Sequence, residues 1–200
     1  MNSTNGIITV FAGSASRPFA QKMCDYLGVE LGKSTTHIFS EGGIYVRADE
    51  SIRNKDVYIV QSIGKDPNNA FTELIFWIDA FKRASANSIT AIIPYFGYAK
   101  ADKKDEPRVS IRARVCADCI EMCGADRVVT MDLHAAQVQG FFSKPVDHLY
   151  ASALLCEYAR HLGIVNGNLV VVSPDAGSAK RARAYANILG CNVAIGDKVR

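Results

Sequence analysis

The stretch Arg127–Asp147, RVVTMDLHAAQVQGFFSKPVD, constrains this chain more than any other. Its run Val128–Met131 is apolar, β-branched, short and bounded by polar residues, which is the pattern of a buried strand. In open α/β sheets, ligands sit just beyond the carboxyl ends of such strands. Asp132 and His134 stand at that end, two residues apart, so in extended chain their side chains share a face. A carboxylate and an imidazole so placed can hold a divalent metal or move a proton. Equally, they can be polar residues satisfied within a loop.

Similar runs recur. Ile7–Phe11 predicts a strand, Ala12–Ser16 a small-residue turn, and Arg17–Leu27 a helix with Pro18 near its start and Gly28 as its C-cap. Helix-start amides favour an anion, but no Lys completes a phosphate loop here, so a tight turn with an N-cap is the better reading. His37–Ser40, Ile44–Ala48 and Val57–Gln61 predict strands, with Gly42-Gly43 turning the first into the second. Asn69–Ala86 predicts a helix with a core stripe of Phe71, Leu74, Ile75, Ile78 and Phe81; Phe76 and Trp77 widen its apolar surface. Ser88–Pro94 predicts a buried strand running into Tyr95–Arg108, where aromatics precede a run of both charges. That run reads as a solvated loop. Its place after a strand end also suits Lys100, Lys103, Lys104 and Arg108 to a polyphosphate, with an aromatic ring stacked on a base. Ala151–Leu162 predicts a helix and Leu169–Val172 a strand ending at Asp175, a metal or ribose-hydroxyl candidate that also suits a helix N-cap.

Composition excludes some classes. Two hundred residues suit one large domain or one and a fraction. A net charge of +3 gives no overall basicity for nucleic acid. No apolar run is long enough to span a bilayer, and the N-terminus lacks the pattern of a signal peptide, so a cytoplasmic protein is expected. Cys116, Cys119 and Cys123 mimic a metal spacing, but helical periodicity puts them on one face as a small apolar stripe. Reduced thiols fit all six cysteines.

An internal echo bears on domain organisation. Ala12-Gly13-Ser14-Ala15-Ser16-Arg17 pairs with Ala176-Gly177-Ser178-Ala179-Lys180-Arg181, and the helix after each ends in Leu-Gly. The echo predicts one α/β domain over 1–150 and the start of a second, incomplete one over 151–200.

The motifs FAGSAS, FSEGG, VYIVQS, TELIFWIDAFKRASA, IIPYFGYAKADKK, DLHAAQVQGFF…PVD and VVSPDAGSAKRA, in that order, resemble the ribose-phosphate pyrophosphokinases. The resemblance implies a phosphoribosyltransferase-like parallel sheet flanked by helices, in one complete domain and the start of a related second. It implies transfer of the diphosphoryl group of ATP to ribose 5-phosphate, with Mg²⁺, giving AMP and phosphoribosyl pyrophosphate for nucleotide synthesis. It implies homo-oligomers that assemble through dimers into hexamers, with the ATP site completed by a neighbouring subunit.

By the same resemblance, Phe39 stacks near adenine, with Glu41 and Gly43 beside it. Lys100 and Asp102 lie in the ATP loop. Asp132, His134, Asp147 and Asp175 are metal-associated, and Asp175 also serves the ribose hydroxyls. Lys198 and Arg200 match a catalytic basic pair, with His134 as the third catalytic position. Gly43 stands where many members have Glu, Lys100-Ala101 where many have Arg-Gln, Ser143 where Asp is common, and Ser178 where Gly is common. The family's V-D-D-x-x-x-T-G-G-T sugar-phosphate loop has no counterpart here, which leads us to expect weak sugar binding and little turnover by a truncated enzyme. The alternative is a non-catalytic regulatory partner of a complete synthetase.

Overall fold

The computed structural model describes residues 8–197, which divide into two compact units, Met1–Leu149 and Tyr150–Arg200. The first is built on a five-stranded sheet of β1 (Ile8–Ala12), β4 (Asp56–Val60), β5 (Ser88–Ile93), β6 (Arg127–Met131) and β7 (Val146–Leu149), in the order β1-β4-β5-β6-β7. All four pairings are parallel, with Ile59 opposite Ala91 and Val129 opposite Asp147. Helices α1 (Arg17–Leu27), α2 (Pro67–Arg83) and α3 (Arg112–Cys123) flank it.

Strand alternation separates two cores. Phe11, Val57, Ile59, Ala91, Ile93 and Val128 face α2 and α3, meeting Leu74, Trp77, Ile78 and Phe81 with Ala113, Cys116 and Ile120. Val10, Ala12 and Val60 face Ala20 and Cys24 of α1. The Phe81 ring lies 4.9 Å from that of Phe11 and 5.2 Å from that of Trp77. Each such fully buried large side chain contributes about 2 kcal/mol.

Local chemistry sets the helix ends. Gly28 stops α1 in the left-handed region, at φ 68°, and its N–H turns back to the carbonyls of Cys24 and Asp25. The Asp66 carboxylate caps α2 by accepting from the Asn69 N–H, so that helix begins at Pro67, ahead of the predicted start. Along it Trp77 is fully buried whereas Phe76 stays 43% exposed, so the apolar widening seen in the sequence serves the core on one side only.

β2 (Ser34–Ile38) and β3 (Ile44–Ala48) form an antiparallel hairpin outside the main sheet, with β3 against α2. Phe39 and Ser40, expected in the strand, belong to the turn. The Gly42 N–H donates to the Phe39 carbonyl at 2.9 Å, the Phe39 N–H donates to the Gly43 carbonyl at 2.8 Å, and Gly42 takes φ 88°.

The second unit holds α4 (Ser152–His161), β8 (Val170–Ser173), α5 (Ala179–Leu189) and β9 (Asn192–Ile195), with β8 and β9 paired in parallel. Val172 and Ile195 are more than half exposed on this two-stranded sheet. β7 and β9 carry no strand signal strong enough for the sequence reading to assign them. All six cysteines are free thiols. Burial pushes the Cys116 thiol up to about 12, with Cys119 adding a smaller push, which suits the packing stripe. Among the described residues no helix is long and apolar enough to cross a membrane.

Candidate functional site

The carboxyl ends of β5 and β6 lie side by side, because the two strands are paired. After β5 the chain turns at Gly97, where a Cβ would lie 2.2 Å from the Ile63 carbonyl oxygen. Only glycine permits that approach. The loop beyond it borders a cavity of about 390 Å³ lined by Gly97, Tyr98, Lys100, Lys103, Asp105 and Arg112. Three cations against one carboxylate make this cavity suited to an anion. Lys100 is exposed, and Asp102 accepts from the Gln137 side-chain amide at 3.4 Å. Gln137 sits in the 3-10 turn Ala136–Phe141 after β6. The loops after β5 and β6 therefore touch. Gln137 was not singled out in the sequence; its only signal there is its place inside HAAQVQGFF.

At the end of β6, Asp132 adopts φ 46°, a left-handed conformation that a residue with a Cβ takes at a cost. Its N–H donates to the Leu149 carbonyl at 2.9 Å. Leu133 turns inward to 7% exposure, leaving Asp132 and His134 exposed on either side of it. The Leu133 N–H donates to Nε2 of His148 at 2.9 Å. An Nε2 that accepts leaves the ring hydrogen on Nδ1, the neutral form. Burial pushes the His148 pKa down, outweighing the upward pull of Asp132. His148, like Gln137, escaped the sequence reading.

Asp147 does not join Asp132 and His134. As His148's neighbour on β7 its side chain takes the opposite face, and its carboxylate pairs with Arg127 Nη1 at 2.7 Å. Phe39, Glu41 and Gly43 come together on the exposed tip of the β2–β3 hairpin. The Phe39 ring meets His37 edge-on at 4.9 Å, and a Cβ on Gly43 would touch Glu41 and Phe39 only at ordinary contact distance. In the second unit Asp175 caps a helix: its Oδ1 accepts from the Ser178 N–H at 2.9 Å. Lys198 and Arg200 lie outside the described residues.

Among the described residues, no three His, Cys, Asp or Glu side chains converge on a metal position. Mg²⁺ needs no such cage, since it is held by one or two protein groups plus substrate phosphates. Asp132 and His134 at an exposed turn fit an ion of that kind.

The model describing the N-terminal domain of ribose phosphate pyrophosphokinase matches residues 8–124. The chain belongs to the ribose-phosphate pyrophosphokinase family. It is 48% identical over 200 residues to the ribose-phosphate pyrophosphokinase of Deinococcus radiodurans, covering all of this chain and 62% of that one. It is 49% identical over 200 residues to the enzyme of the same name from Porphyromonas gingivalis, covering all of this chain and 63% of the relative. The fold superposes on the crystal structure of phosphoribosylpyrophosphate synthetase from Mycobacterium smegmatis with a TM-score of 0.91 at 42% identity, over 96% of this chain and 65% of that one. The phosphoribosyltransferase-like parallel sheet flanked by helices expected from the motifs is thus the architecture found. The chain spans a little under two thirds of the length of these curated relatives.

Proposed function

We propose that this chain carries the ATP side of a ribose-phosphate diphosphokinase. In that reaction the 1-hydroxyl oxygen of ribose 5-phosphate bonds to the β-phosphorus of ATP, the bond from the β-phosphorus to the α,β-bridging oxygen breaks, AMP leaves with that oxygen and its electron pair, and the hydroxyl proton passes to solvent. The observation that carries the reading is the contact of the two strand-end loops through Asp102 and Gln137. The first of these loops borders the cation-lined cavity, and the second follows the Asp132–His134 turn. Phosphoryl transfer calls on a protein mainly for positioning and for neutralising charge.

Lys100, Lys103 and Arg112 neutralise the triphosphate at the cavity. Asp132 and His134 hold Mg²⁺, which when bound supplies further neutralisation of the phosphate oxygens. Phe39 stacks on adenine, and Glu41 contacts the nucleotide. The family resemblance assigns these two to the ATP site of a neighbouring copy in a homo-oligomer, and their exposure on the hairpin tip supports that reading. Asp175 has one carboxylate oxygen on its helix cap and turns the other to a ribose hydroxyl. The free cysteines agree with a cytoplasmic setting.

The test is calorimetric titration of the 200-residue chain with ATP and Mg²⁺. Saturable binding is expected, weakened about tenfold or more by Lys100→Ala and by His134→Ala. Binding that ignores both substitutions would overturn the reading.

A further inference from the structure

We infer that His148 is a positioning residue for the Asp132–His134 pair: its ring clamps the backbone between them and so sets their spacing. The inference rests on the nucleotide–metal reading above and adds a residue to it. A non-glycine residue in the left-handed region persists only where its surroundings hold it. Three contacts hold Asp132 at φ 46°. The Asp132 N–H is tied to the Leu149 carbonyl, the Leu133 side chain is sunk in the core, and the Leu133 N–H ends on His148 Nε2. The ring is the side-chain hydrogen-bond acceptor of this clamp. It reaches the turn from β7, where His148 stands beside Thr130 of β6. Leu133 is the residue between Asp132 and His134, so its amide fixes the direction in which both leave the strand. Without the acceptor, Leu133 N–H loses its partner in a half-buried place and the turn loosens. Groups that orient metal-binding residues typically change metal affinity about 10–100-fold when removed.

Two substitutions separate the acceptor from mere bulk. Gln places Oε1 near the position of Nε2 and keeps an acceptor, whereas Leu fills similar space without one. The experiment uses the full ¹⁵N-labelled chain. Exchange of the Leu133 amide is read by NMR, and Mn²⁺ binding with ATP by electron spin resonance. With His148→Leu, Leu133 exchange should accelerate about fivefold or more while the Ile59 and Ala91 amides keep their wild-type rates. Mn²⁺·ATP affinity should fall about tenfold or more. His148→Gln should stay close to wild type in both. The inference is overturned if Leu133 stays protected in His148→Leu. It is equally overturned if affinity survives once Leu133 is freed, or if Gln and Leu lose affinity alike. A wild-type chain that binds no Mn²⁺·ATP would refute the site reading itself, and the positioning role with it; that outcome is recognised in the wild type alone, before any variant is compared.

Discussion

The turns after β1 and after β8 look like copies in sequence but are held by different chemistry. Each is a short 3-10 turn, Ser14–Ser16 or Ala176–Ser178, that opens into an eleven-residue helix closed by a left-handed glycine, Gly28 or Gly190. Their shared hexapeptide is nevertheless out of step. Ala12 is the last residue of β1, whereas Pro174 and Asp175 intervene between β8 and Ala176. Matched by structure, Gly13 stands where Asp175 stands, each as the N-cap. The second turn therefore brings its own carboxylate. The first borrows one from a distance: Glu73 of α2 accepts from the Ser14 N–H at 2.9 Å, from the Ser14 hydroxyl, and from Gln61 Nε2 at 2.9 Å. Thr36 and Trp77 complete the donors around Glu73, which is almost fully buried. One turn is thus a local cap, and the other is a junction joining β1, β2, the end of β4 and α2.

That contrast can be broken most forcefully at Glu73. Glu73→Ala strands several buried donors at once and should cost about 3 kcal/mol, read by urea unfolding through the fluorescence of Trp77, the chain's single tryptophan. A loss below about 1 kcal/mol would mean that the junction is not a structural one. The glycines sharpen the comparison next. A Cβ on Gly13 would meet Gln61 Oε1 at 2.3 Å, and the buried, hydrogen-bonded Gln61 has little room to yield. Gly13→Ala should therefore cost about 1–3 kcal/mol. At Gly177 the nearest atom is Asp175 Oδ1 at 3.3 Å, so Gly177→Ala should move stability by less than about 0.5 kcal/mol by thermal unfolding. Equal effects at the two glycines would erase the distinction. An effect between those two is expected at Asp175. Asp175→Ala should cost about 1 kcal/mol, recovered by Asp175→Asn, with helix content followed by circular dichroism. If Asp175→Asn keeps that stability but weakens ribose 5-phosphate binding, the carboxylate serves a ligand as well as a cap.

The regular elements were legible because local signals agreed with one another. Arg17–Leu27 was bounded by Pro18 and Gly28, and the hairpin by its paired glycines, and the structure places both there. The short strands β7 and β9 were not legible, since four residues such as Val-Asp-His-Leu gain their order from neighbours rather than from their own pattern. In the site, motif position pointed to Asp132 and His134, and β6 does end there. Spacing could not show that Asp147 would pair with Arg127, nor that Gln137 would reach Asp102 across 35 positions. It could not show that His148 would accept from Leu133, 15 positions earlier. These contacts depend on β7 lying beside β6 and on the two loops meeting, which are tertiary facts. Asp175 had both readings open, and the capping geometry is the one observed.

The measurement that bears most directly on the central claim is a map of backbone amide shifts in the ¹⁵N-labelled chain as ATP and Mg²⁺ are added. The account predicts the largest shifts in the two loops at the ends of β5 and β6, at Gly97, Lys100, Lys103, Asp132, His134 and Gln137. Shifts gathered instead at the second unit's cavity of about 300 Å³, lined by Ser173, Ser178, Arg181 and Tyr185, with the β5 and β6 loops silent, would contradict it.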